Sequence, residues 1–183
     1  MKFKPTIHAG IFVAALLSGS ALFAAPMTRD DYSAAKKRID LEYKDSKTAC
    51  DALTANAKDM CREEAKGKEK IARAELEYNR SGKPKDATKV AMAKADAAYA
   101  VAKEKCDDRT GNDKDVCVKE AKTAHTAGVA DATADKKVGE ARRDAAEDKR
   151  DARYNLAKEK CDALSGDNKT ACLATAKSRY GKG

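Results

Sequence analysis

Three times along the chain a tyrosine stands seven residues before a cysteine, an aspartate follows that cysteine directly, and a second cysteine comes eleven residues after the first. The copies are Tyr43, Cys50, Asp51 and Cys61; Tyr99, Cys106, Asp107 and Cys117; and Tyr154, Cys161, Asp162 and Cys172. Each copy also carries a lysine eight residues after its first cysteine (Lys58, Lys114, Lys169) and an Ala-Lys pair after its second (Ala65-Lys66, Ala121-Lys122, Ala176-Lys177). Agreement at so many positions marks internal duplication, and it absorbs all six cysteines.

The cysteine spacing restricts what each pair can do. On an unbroken helix, residues eleven apart would lie about 16 Å from each other, because each residue rises about 1.5 Å. A disulfide needs Cα atoms about 4.4–6.8 Å apart. A helical hairpin turning between the cysteines satisfies that limit, with each cysteine one turn from the loop. The loops Thr110-Gly111-Asn112-Asp113 and Asp162-Ala163-Leu164-Ser165-Gly166-Asp167-Asn168 offer a glycine to end one helix and polar side chains to cap the next. In the first copy Ala55-Asn56 replaces the glycine, and Asn56 is expected to take the left-handed conformation. In an oxidising compartment the pairs then read as Cys50–Cys61, Cys106–Cys117 and Cys161–Cys172, repetition being the reason for choosing this connectivity.

Other uses of these residues lack the required pattern. Zinc sites favour cysteines two to four apart or a Cys/His combination, and redox enzymes favour Cys-x-x-Cys. The acidic stretch from Asp107 to Asp115 lacks the closing glutamate of a calcium loop, because Val118 or Lys119 stands there. No catalytic, cofactor-binding or metal-binding residue is assigned. His125 reads as a solvated helix residue. Tyr43, Tyr99 and Tyr154 lie two turns below each first cysteine and on its face, so they read as repeated aromatic contacts beneath the bridges. A stacking platform for sugars or bases is the competing reading.

At the start, Lys2 and Lys4 lead into an apolar run from Ile11 to Leu17 and then into small residues ending at Ala24-Ala25-Pro26. This is the pattern of a secretory signal peptide over residues 1–24, cleaved after Ala24, and it places the mature chain in the periplasm or outside the cell. No transmembrane segment is expected after cleavage. The mature 159 residues would hold only seventeen Ile, Leu, Val and Met and no Phe or Trp. That is about 11%, below the roughly 20% at which a packed core becomes doubtful. Abundant Ala, Lys, Glu and Arg nevertheless favour helix.

Larger or uncharged residues recur at steps of four and seven. They fall at Tyr32, Ile39, Tyr43 and Cys50; at Cys61, Ala65, Ala72 and Leu76; at Ala87, Ala91, Ala98 and Ala102; and at Ala130, Ala134, Ala141, Ala145, Ala152, Leu156 and Ala163. An eleven-residue rhythm suits nearly straight helices with a narrow, alanine-lined stripe. Ser81-Gly82-Lys83-Pro84 is a strong helix break. The corresponding Lys137-Val138-Gly139 is a weak one, so a helix over 113–163 is expected to be either bent or continuous. The fold class predicted is all-α, an elongated array of three disulfide-pinned helical hairpins with little globular core. Repeats are expected over 25–81, 82–137 and 138–183, the last truncated.

The mature chain carries 36 basic and 30 acidic residues, interleaved, which describes a solvated helix surface and argues against a nucleic-acid partner. Residues 141–152, Ala-Arg-Arg-Asp-Ala-Ala-Glu-Asp-Lys-Arg-Asp-Ala, and 89–98, Lys-Val-Ala-Met-Ala-Lys-Ala-Asp-Ala-Ala, resemble the Ala/Lys/Glu-rich helical stalk of TolA. The whole is similar to secreted Ala/Lys-rich helical proteins of Gram-negative bacteria described as TolA-like. The resemblance covers most of the mature chain and lies in composition, so it carries over no functional residue. It implies a non-enzymatic envelope spacer or adaptor whose partner is an envelope protein or polymer. A small periplasmic helical chaperone and a binder of anionic envelope polymers are the alternative readings. Neither partner identity nor oligomeric state is set by the sequence.

Overall fold

The computed structural model describes residues 27–181, so the export signal expected over residues 1–24 lies outside the described residues. Five helices follow one another: α1 (Arg29–Cys50), α2 (Ala55–Ser81), α3 (Pro84–Cys106), α4 (Gly111–Asp162) and α5 (Gly166–Tyr180). Each packs on its chain neighbours and on nothing else among the described residues. The result is an all-α array in which disulfides pin α1 to α2, α3 to α4, and α4 to α5. Because α4 alone has 52 residues, it spans about 78 Å. A compact chain of the mature length would have a radius of gyration of only about 15 Å.

Local chemistry sets the ends of the helices. Thr28 starts α1 with a capping box: its hydroxyl accepts from the Asp31 amide at 3.1 Å, while its own amide donates to the Asp31 carboxylate at 3.3 Å. At the far end of the first hairpin, the Tyr32 hydroxyl donates to Glu77 and the Arg80 guanidinium lies 4.7 Å from the Tyr32 ring. The strong break behaves as its sequence predicts. Gly82 caps α2 in the left-handed conformation, its amide donating to the Tyr78 carbonyl at 2.8 Å, and Pro84 opens α3.

The hairpin tips differ from the expected loops in two ways. The glycine does not end the first helix; Gly111 and Gly166 open the second, with positive φ, after Thr110 and Ser165 whose side chains make no cap bond. In the first copy the left-handed residue is Ala55, not Asn56. Asn56 is occupied elsewhere, donating its side-chain amide to the Glu104 carbonyl at 2.9 Å and so tying the first tip to the end of α3. The first cysteine of each pair also sits at or next to a helix end rather than a full turn inside it.

The weak break is no break. Helix α4 runs through Lys137-Val138-Gly139, across the expected boundary between the second and third repeats, and fuses what would be two helices into one. Gly139 stands there without a proline, and a lone glycine costs a helix only about 1 kcal/mol, too little to break it.

The stripe is correct on the faces that α1 and α2 turn to each other. Ile39 and Cys50 in α1 and Ala65 and Leu76 in α2 are buried. In α3 the expected Ala91 and Ala98 are exposed instead. This helix is clasped between α2 and α4, so its two contact faces lie to either side of that line. In α4 the stripe residues Ala130, Ala134, Ala141, Ala145, Ala152 and Leu156, with Ala163 beyond its end, are exposed, and so is every residue from 141 to 150. That stretch lies past the end of α3 and short of the end of α5.

The left-handed alanine gives a stability test. An L side chain in this conformation costs about 1–2 kcal/mol, and no heavy atom would crowd a Cβ at Gly111 or Gly166. Ala55→Gly is therefore expected to raise unfolding free energy by about 1 kcal/mol, while Gly111→Ala and Gly166→Ala lower it by a similar amount. Thermal melts followed by circular dichroism should move in opposite directions.

Candidate functional site

The one constellation that recurs in all three hairpins is the pinned tip. In each, the two cysteine Cα atoms lie 5.6 Å apart across residues eleven apart in sequence. The first cysteine of every pair is the most buried side chain of its hairpin: Cys50 and Cys106 are 0% exposed and Cys161 1%. No free cysteine remains among the described residues.

The aspartate and lysine of the repeat form a latch over each bridge. Lys58 reaches Asp51 at 3.1 Å, Lys114 reaches Asp107 at 2.8 Å, and Lys169 reaches Asp162 at 3.0 Å. The aspartate stands immediately after the first cysteine and the lysine early in the next helix, so the ion pair closes the same loop as the disulfide. In the first copy Arg62 adds a second cation at 3.0 Å from Asp51, where the later copies carry Val118 and Leu173. The Lys58 ammonium and then the Arg62 guanidinium hold the Asp51 carboxyl below its usual range, and Lys114 does the same to Asp107.

One or two turns farther from the tip, each repeated tyrosine is half-buried against the facing helix. Tyr99 meets His125 with ring centroids 5.0 Å apart, and Tyr154 meets Tyr180 at 6.4 Å in an edge arrangement. His125 and Tyr180 are equivalent positions of the repeat, and the equivalent in the first copy is Glu69, which shares a shallow groove with Tyr43, Ile39, Ala65 and Ala72. His125 is thus not simply solvated. Its ring packs on Tyr99 and its Nε2 lies 2.5 Å from Asp96 on α3. Its partners are structural ones: an aromatic face and a single exposed carboxylate.

Asp86 is the functional-looking residue that periodicity passes over. It is a charged side chain that is only 6% exposed, and it sits under the α2–α3 turn. Ser81 donates its hydroxyl to one carboxylate oxygen at 2.6 Å, and Lys89 reaches the other at 2.9 Å. These bonds hold its carboxyl in the ionised form and below its usual range. The signal available in the sequence was an acid in the first turn after Pro84, where the helix N-terminus favours negative charge. Asp86 thus locks the turn between α2 and α3.

The groove between α2 and α3 is open and lined largely by alanine and lysine, and other shallow hollows lie along the face of α4 alone. Among the described residues no three His, Cys, Asp or Glu side chains gather where they could hold a metal ion. No helix among them is long and apolar enough to cross a membrane. What the arrangement offers is a set of charge-covered hairpin tips, each pinned by a disulfide.

The latches predict the response to acid. A carboxyl whose folded pKa lies below its unfolded value stabilises the fold above that unfolded value, and the contribution disappears as pH falls through the folded pKa. With an unfolded aspartate near 3.9, the melting temperature should be level from pH 7 to about 5 and fall below about 4. Asp51→Asn and Asp107→Asn together should lower the melting temperature at pH 7 and flatten this acid limb. An acid limb unchanged in the double variant would show that the latches contribute nothing to stability.

Neither a protein-family model, nor a curated protein, nor a solved structure matches the chain.

Proposed function

We propose that this protein is a non-enzymatic spacer or adaptor of the cell envelope, exported to the periplasm and similar in kind to the helical stalk of TolA. The observation that carries the reading is the single helix α4. It leaves the clasp of α3, crosses ten exposed residues from 141 to 150, and enters the last hairpin with α5. Those residues alone separate the two blocks by about 15 Å.

A helix polar on all sides is used where a chain must bridge solvent. Lys136 and Glu140 at 3.8 Å and Glu147 and Arg150 at 4.0 Å supply spaced ion pairs along it. Each such pair adds about 0.2–0.5 kcal/mol to a solvated helix. The exposed large apolar residues, Leu41, Leu53, Leu156 and Leu164 among them, are scattered singly along the array. They give little continuous area for holding unfolded clients, which favours the spacer over the chaperone.

A spacer's length is its function. Removing residues 140–150 takes out three helical turns and keeps the following residues on the same face, while shortening the bridge by about 16 Å. In the host this deletion is expected to cause detergent sensitivity as severe as loss of the whole gene. Replacing the same residues with a different Ala/Glu/Lys helix of equal length should leave the envelope intact. An intact envelope in the shortened strain would refute the spacer. Suppression of client aggregation by the purified protein at near-stoichiometric ratios, persisting in high salt, would favour the chaperone.

A further inference from the structure

The internal repeat contains a template for a contact that the chain does not complete. Helix α2 packs along α3 through a close seam in which a Cβ built on Gly67 would stand 2.7 Å from that of Ala97. Glu75 and Lys94 bridge the seam at 2.8 Å, and Ile71 and Val101 line it. The residues equivalent to α2 lie in the first half of α4, 56 positions later, and those equivalent to α3 lie in its second half, 55 positions later. In the first pair of repeats a tight turn at Gly82 folds the one onto the other. In the second pair that turn is replaced by continuous helix, so the two halves of α4 point away from each other and cannot meet within one chain.

Both halves keep the face and leave it bare. On the first half Val116 is 43% exposed, and Thr123, Ala127, Ala130 and Ala134 are exposed; on the second half Ala141, Ala145 and Ala152 are exposed and Leu156 is 57% exposed. The charge pair is preserved as well: Glu75 becomes Asp131 and Lys94 becomes Lys149. The seam's pairing rule, transferred to α4, sets Thr123 against residue 152, Ala130 against residue 145 and Ala134 against residue 141. That set is its own mirror image about the middle of the helix, as a two-fold axis requires.

We propose that a second copy of the chain covers this face, the two α4 helices running antiparallel in a swapped form of the α2–α3 seam. Ala130 then meets Ala145 of the partner subunit, Ala134 meets Ala141 of the partner subunit, and Asp131 pairs with Lys149 of the partner subunit. Each first half gains the helix that α3 gives α2, and a row of α3, α4, the partner's α4 and the partner's α5 repeats the order of α1 to α4. Loss of a hinge turn is the ordinary route by which an intramolecular pair becomes an intermolecular one. Several positions depart from the template: Thr123 replaces Gly67, so the helices stand farther apart there; Ala127 replaces Ile71, which thins the apolar contact; and Leu156, one methylene larger than Val101, fills part of the added width. The inference does not depend on the envelope role, since it concerns association of the purified chain.

Sedimentation or light scattering on the oxidised mature protein tests it. The expected mass between about 1 and 100 µM, the range of ordinary protein association, is that of two chains. Ala130→Glu with Ala145→Glu should yield a monomer with unchanged helical content, because both side chains are exposed within one chain. Asp131→Lys should weaken association by about tenfold and adding Lys149→Asp should restore it, a rescue that a merely local effect would not give. Replacing residues 137–139 with Ser-Gly-Lys-Pro should fold the last hairpin back in cis and give a stable monomer. A wild-type protein that is monomeric throughout, or a dimer that survives the paired glutamates, would overturn the proposal.

Discussion

Closing a short helical hairpin costs conformational entropy that a mostly alanine interface cannot recover, because an alanine buries little apolar surface. The array therefore depends on the covalent closure of each tip. The buried apolar residues among those described are two large aliphatics, Ile39 and Leu76, together with Cys50, Cys106, Cys161 and four alanines. Three of these nine side chains are bridge cysteines, so the disulfides are the core as well as the staples. In the chain-entropy account a loop of this size gains about 3 kcal/mol from its bridge, comparable to burying one or two leucines. The Asp-Lys latch lies over the same closure and keeps it charged on the outside.

That constraint explains how much of the structure is legible in the sequence. Cysteine pairing is readable because spacing, repetition and helix geometry admit a single common solution, and Gly82-Lys83-Pro84 is readable because two residues oppose helix together. The left-handed Ala55 is not readable from residue preference. The closed tip imposes the same backbone on all three copies, and the first copy lacks the glycine that would adopt it without strain. Asn56, the residue better suited by preference, is committed to α3 through its side chain.

The misread stripes in α3 and α4 have different causes. Helices α2 and α3 each have two neighbours; in α2 the stripe follows the face toward α1, whereas in α3 it runs between the two contact faces, which leaves Ala91 and Ala98 exposed. In α4 the small residues do lie on one line, but no helix among the described residues buries them. Periodicity reports that a face is suited to contact; it does not say which chain supplies the other side. Likewise the Tyr43, Tyr99 and Tyr154 positions were visible, while their changing partners, Glu69, His125 and Tyr180, emerge only when the antiparallel register is known.

Dependence on the bridges is not uniform along the array. Helices α2 and α3 are held from both sides, whereas α5 touches only α4 and contributes Ala176 alone to the buried set. Amide hydrogen exchange on the oxidised protein, compared with the same protein reduced and alkylated, tests this most directly. Reduction should remove protection from α5 first and from α1 next, while the α2–α3 seam retains most of its protection. Equal protection in the oxidised and reduced forms, above all over residues 166–180, would contradict the claim that the disulfides hold these hairpins together.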